Sequence, residues 1–187
     1  MAAFTRKIQI DMDWIDTSTF EVRGTLDDNV HSLSALLRVG FPDFTIQGAT
    51  GSITRMPYPG FCQGATGVLS GLIGQRIGRG FRKRVAEVLG GAESCNHLHT
   101  LVNDMGASAF QMNYVAAKQR SGAQLIMTDR QDDHSRRRQM VLDWMPQLRN
   151  SCYVFSEAND KLFEPCDSAE GADDSGGDTV SADSIRS

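Results

Sequence analysis

The sequence predicts an α+β fold, an antiparallel β-meander of three to four strands followed by helices packed on one face of the sheet. Three observations carry this. Apolar residues alternate at period two through the first third of the chain. They change to helical spacing from about Val68 onward. The runs in the first third are joined by short turns, which suits antiparallel neighbours with one wet face.

The elements follow in order. Ile8, Ile10, Met12 and Trp14 alternate with Lys7, Gln9, Asp11 and Asp13 to make a first strand. After a turn-like DTST, Phe20, Val22, Gly24 and Leu26 repeat the pattern. A third run, SLSALLRVGF, follows His31, and FPDF turns the chain into a fourth, FTIQGATGSITRMP. Val68, Leu69, Leu72, Ile73 and Ile77 then fall at helical spacing, as do Phe81, Val85, Val88 and Leu89. Leu98, Leu101, Val102, Met105, Ala109 and Met112 predict one long helix from about Asn96 to Gln119. Met140, Val141, Trp144, Met145 and Leu148 predict a last helix ending near Pro146. The reading is one domain over residues 1–150 and an extension over 151–187 with a disordered acidic tail.

Charge divides the same way. The chain holds 19 Lys+Arg and 23 Asp+Glu. From Glu164 to Ser187 seven acids face only Arg186, so the tail carries 1 − 7 = −6 and the other 163 residues carry 18 − 16 = +2. A Gly-, Ser- and Asp-rich tail cannot bury enough surface to offset its ordering entropy. The net charge of −4 is therefore no guide to function.

Several classes are excluded. No apolar run approaches the roughly 20 residues that cross a bilayer, and the charged N-terminus MAAFTRKIQIDMDW is not a signal peptide. Four cysteines in 187 residues do not make a secreted disulfide scaffold. The expectation is a soluble, cytoplasmic protein. Neither GxxxxGK[ST] nor GxGxxG occurs, so the glycines between Gly60 and Gly80 read as turns and close packing, not a phosphate loop.

The chemistry-bearing residues are the cysteines and histidines. Five of the eight, His31, Cys62, Cys95, His97 and His99, lie between positions 31 and 99, each at the end of a predicted element. Thiolate and imidazole are the usual ligands of zinc and also suit iron. Ser94 could cap the long helix and place Cys95 in its first turn, where the N-terminus favours a thiolate. Cys95 and His99, four apart, share a face if both are helical, whereas Cys95 and His97 converge if Cys95 lies in the capping turn. The bland reading of each residue is a packed thiol or a surface imidazole. Arg76, Arg79, Arg82, Lys83 and Arg84, with the later Arg136, Arg137 and Arg138, form basic runs. A solvated helix face is their simplest meaning. Otherwise Arg79 and Lys83 would hold an anionic substrate or cofactor, such as the phosphates of a coenzyme A thioester.

From Gly24 to Phe110 the chain resembles the bacterial domain-of-unknown-function family DUF2889. The segments that carry the likeness are GTLDDNVHSLSALLRV, SITRMPYPGFC, LSGLIGQRIGRGFRKRVAEVLGG and SCNHLHTLVNDMGASAFQ. The sequence departs from that family's pattern at Phe81, Ser94 and Thr100. This resemblance implies no activity. The order of elements also resembles, more remotely, the iron–sulfur cluster scaffolds of the IscU/NifU type. That likeness implies one site from His31, Cys62, Cys95 and His97, with Asp27 near the carboxylate those scaffolds keep beside it, and it selects His97 over His99.

Three functions follow as expectations. The first is a metal-dependent enzyme of lyase or hydrolase type acting on a small organic molecule. His31, Cys62, Cys95 and His97 would hold one zinc or iron ion as Lewis acid, and Asp27 would serve as general base or further ligand. The second is a metal or iron–sulfur scaffold, disfavoured because only two cysteines are well placed. The third is a non-catalytic anion-binding module. A body charge of +2 argues against nucleic acid. A homo-oligomer is compatible with all three.

Overall fold

A computed structural model describes residues 2–121 and 131–163. The chain divides into two compact units, Met1–Gln124 and Leu125–Ser187. The acidic tail and Cys166 lie outside the described residues.

In the first unit, β1 (Arg6–Trp14), β2 (Thr19–Asp28), β3 (Ser32–Gly40) and β4 (Ile46–Arg55) form one antiparallel sheet in sequence order. A 3₁₀ helix over Cys62–Leu72 follows, then α1 (Phe81–Leu89), α2 (Asn96–Ala109) and α3 (Gln111–Ser121). The α+β arrangement and all four expected strands are present.

Period two decides the faces. Phe20, Val22 and Leu26 of β2 and Leu33, Leu37 and Val39 of β3 are buried in one core with Leu98, Leu101, Val102 and Met105 of α2. Each such side chain contributes roughly 1.5–3 kcal/mol when fully buried. The opposite face is wet, with Arg23 paired to Asp13 and Glu21, and Arg38 to Glu21. Gly24 sets the distance of α2 from the sheet. A Cβ there would stand 2.6 Å from Met105 Sδ and 3.0 Å from Leu101 Cδ1, so the helix lies directly against the β2 backbone.

Two helices differ from expectation. The segment around Val68 is a 3₁₀ helix, and Ile77 lies beyond it. Gly64, Gly67 and Gly71 weaken an α-helix, while the Thr66 and Ser70 hydroxyls donate to the carbonyls three residues back. Burial of Leu69 and Leu72 alone fits three residues per turn. Gly74–Ile77 passes beside the start of β4 through an isolated bridge between Arg76 and Thr45, with Gly74 N–H donating to Ile46 O and Ile77 N–H to Phe44 O. The expected long helix over 96–119 is broken at Phe110 into α2 and α3, and the Phe110 ring stacks on Phe44 at 5.5 Å. Met112 and Ala116 remain buried beyond the break, so the apolar stripe runs through it without a sign.

In the second unit α4 spans Gln131–Trp144, followed by 3₁₀ turns at Pro146–Leu148 and Glu157–Phe163. His134 lies in α4. Arg138, expected on a basic surface, is buried. It donates to Val154 O and Ser156 O, pairs with Asp160 and lies 4.7 Å from the Phe163 ring centre. A buried guanidinium needs that many partners, so it organises the turns of this unit and does not belong to a patch.

Candidate metal and thiol site

The end of β2, the turn into β3 and the N-terminus of α2 meet at one edge of the sheet. Even positions of β2 face inward through Leu26, and Asp28 continues that parity. His31 shares the inward parity of Leu33 in the next strand. The turn between them is fixed by Asp28 itself. Its Oδ1 accepts from Val30 N–H at 2.9 Å and from His31 N–H at 2.7 Å. Arg55, at the end of β4, braces the same turn through the carbonyls of Asp28 and His31.

The Asp28 carboxylate is fully buried and heavily engaged. Oδ2 accepts from Arg6 Nε at 2.9 Å and Nη2 at 2.7 Å, and Oδ1 also receives His31 Nδ1 at 3.2 Å. Burial pushes its carboxyl up. The N–H groups of Val30 and His31, with Arg6 and the His31 ring, more than offset this and hold it well below the usual carboxylate range. An ionised carboxylate only accepts, so the His31 ring donates to it from Nδ1.

His97, the second residue of α2, lies against His31 with ring centres 3.9 Å apart and planes tilted by 32°. Potential ligand atoms of Asp28, His31 and His97 all fall within 4.8 Å of one another. Burial first, then the neighbouring His31 and Arg6, lower the pKa of His97 from 6.5, against a smaller opposite pull from Asp28. The ring is thereby kept neutral, the form that binds a metal. Cys95 occupies the N-cap position of α2 in extended conformation, where Ser94 was expected, and its side chain makes no capping bond. Instead Cys95 Sγ stands 3.5 Å from His97 Nδ1.

Of the residues singled out in the sequence, His31 and His97 come together, and Cys95 contacts His97 but lies outside the grouping they form with Asp28. His99 points elsewhere, with its ring 3.4 Å from the Asn103 side-chain nitrogen. Cys62 is outside the Asp28–His31–His97 grouping. It shares with Cys95 a cavity of about 660 Å³, also lined by Tyr58, Phe61, Glu93 and Ser94. Asp27 faces the other side of the sheet, half-exposed and 2.7 Å from Arg55. Asp28 therefore stands where Asp27 was expected, and the inward parity of Phe20, Val22 and Leu26 is the signal that distinguishes them. Arg6, the register partner of Asp28, was not foreseen. Arg79 and Lys83 are exposed, Lys83 lying 3.9 Å from Glu87, and neither lines this cavity.

The grouping at this end of the sheet is two imidazoles and a buried carboxylate, and Cys95 touches it through His97 without being one of its members. Such a set suits zinc or iron. The family model described as a protein of unknown function, DUF2889, matches residues 4–111, more than half of the chain. The chain belongs to that family. No curated protein and no solved structure matches it, and the likeness to iron–sulfur scaffolds is left resting on element order.

Proposed function

We propose that this chain, from a family whose description assigns no function, is a metal-dependent enzyme of lyase or hydrolase type acting on a small organic molecule. The observation that carries the reading is the stacked pair His31 and His97, one gripped by Asp28 and the other in contact with Cys95. His31 Nε2, His97 and Cys95 would be the ligands, with Cys62 reaching in from the cavity wall. Asp28 serves better as the carboxylate behind His31 than as a ligand, because five donors already occupy its two oxygens. A zinc or iron ion held there supplies Lewis acidity to a substrate carbonyl or to water.

Cys62, Cys95 and Cys152 are free thiols, which agrees with a reducing, cytoplasmic setting. Among the described residues no helix is long and apolar enough to cross a membrane. The test is metal content by mass spectrometry on untagged protein reconstituted with zinc or ferrous iron. About one equivalent is expected for the wild type and under about a tenth for His97→Ala. A wild type that retains less than about a tenth of an equivalent sinks the reading.

A further inference from the structure

Building on that metal-centre reading of the same site, we infer that the cavity beside Cys95 is the substrate cleft, and that its substrate is a neutral ring compound bearing one hydroxyl or carbonyl group. The cavity has the size of a small-molecule site, about 660 Å³ against about 300–1,000 Å³ for such clefts. Two large aromatic side chains at its wall are left in water. Tyr58 is 68% exposed and Phe61 is 83% exposed. Rings held at a cavity mouth offer flat apolar surface to a planar ligand, which would stack on or against them.

Charge narrows the class. Among the described residues lining the cavity, Glu93 is the only Asp, Glu, Lys or Arg. In metal-stripped protein an anionic ligand would meet a carboxylate and no Lys or Arg, so the wall itself disfavours carboxylates and phosphates. That also separates it from the exposed Arg79 and Lys83. One polar group of the ligand has a place to bond. Ser94 belongs to the cavity wall, and its Oγ is buried behind that wall without a hydrogen-bond partner, a state that costs free energy until a partner arrives. Rotation of that hydroxyl toward the cavity would let a ligand hydroxyl or carbonyl supply the partner. Beside Ser94, Cys95 belongs both to the cavity wall and to the His97 contact. A group bonded at Ser94 therefore sits next to the ion that the histidines would hold.

The experiment uses the full chain and two ring compounds of nearly equal size, neutral biphenyl-4-methanol and anionic biphenyl-4-carboxylate. Alkylation of Cys62, Cys95 and Cys152 by iodoacetamide is followed by mass spectrometry of the digested protein. The neutral compound, at about four times its Kd, is expected to slow alkylation of Cys62 and Cys95 about fivefold while leaving Cys152 unchanged. In stripped protein the anionic compound should give no protection, and Phe61→Ala, a change at an exposed position, should abolish the protection by the neutral one. Equal slowing of Cys152, equal protection by the anion in stripped protein, or no protection by either overturns the inference. Metal content is measured on the same preparations, stripped and zinc-loaded. Protection in stripped protein that takes up no zinc upholds the cleft and removes the metal reading. Zinc uptake without protection in either form overturns the cleft alone.

Discussion

Gly106→Ala sets two physical effects against each other. Alanine in a helix interior is favoured over glycine by roughly 1 kcal/mol, so propensity alone predicts a more stable protein. Packing predicts the reverse. A Cβ at position 106 of α2 would lie 2.2 Å from Cε1 and 2.6 Å from Cδ1 of Phe81. Carbon pairs settle at about 3.5–4.0 Å, so the ring would have to retreat by more than about 1 Å. Phe81 is buried and is the first residue of α1, so its retreat moves the ring off its rotamer or moves the helix. Overpacking costs typically ~1–3 kcal/mol, and an overlap this severe belongs in the upper half of that range. Subtracting the propensity gain leaves a net loss of about 1–2 kcal/mol. Urea unfolding followed by Trp14 fluorescence, in a Trp144→Phe background, reports the first unit. With a slope of about 1.5 kcal/mol/M, the midpoint should fall by about 1 M. Adding Phe81→Leu should recover part of the loss, giving a coupling between the two sites. A midpoint that rises in G106A, or two changes that simply add, would refute the packing argument.

Two further expectations concern the carboxylates. Asp28→Asn removes the charge that orients His31, and zinc affinity in competition with a chelating dye should drop about 10–100-fold. Asp27→Asn changes a half-exposed partner of Arg55 on the other face and should alter that affinity by less than about twofold; equal losses would remove Asp28 from its assigned place. Acid should destabilise metal-stripped protein in two stages. His97 is held below 6.5, so the unfolded chain binds its proton first, and stability falls as pH drops below 6.5 through the folded value. Asp28 is held well below 3.8, so its contribution is complete above 3.8 and is lost as pH falls toward the folded value. Urea midpoints against pH should lose the upper stage in His97→Gln and the lower in Asp28→Asn, and a profile indifferent to both variants would contradict these assignments.

The strands were legible because β2, β3 and β4 bury one face and β1 turns Ile10, Met12 and Trp14 partly into the same core, and period two reports a face directly. The helices were less so. The spacing of Leu69, Leu72 and Ile77 suits an α-helix, but it does not register the glycines and hydroxyls that tighten the Cys62–Leu72 segment to 3₁₀ geometry. Nor does it mark a break such as Phe110, where the stripe is buried on both sides. At the site, His31, Cys95 and His97 were legible as residue types at element ends. Asp28 was missed in favour of its neighbour, although the same period that located β2 assigns Asp28 to the inner face and Asp27 to the outer one. Arg6 could not have been found without the register that sets it opposite Asp28.

The separation of His97 from His99 shows what a single cap position decides. Had Cys95 lain in the first turn of α2, its thiol would have shared a face with His99, one turn on. In the structure Cys95 is extended at the N-cap, and its sulfur instead approaches the ring two residues ahead. His99 is then left to pair along the helix with Asn103. The same extended residue lines the cavity that also contains Cys62. One backbone conformation thus selects the imidazole that joins His31 and connects that pair to the cleft. A variant that draws Cys95 into the helix would uncouple the two without touching a histidine.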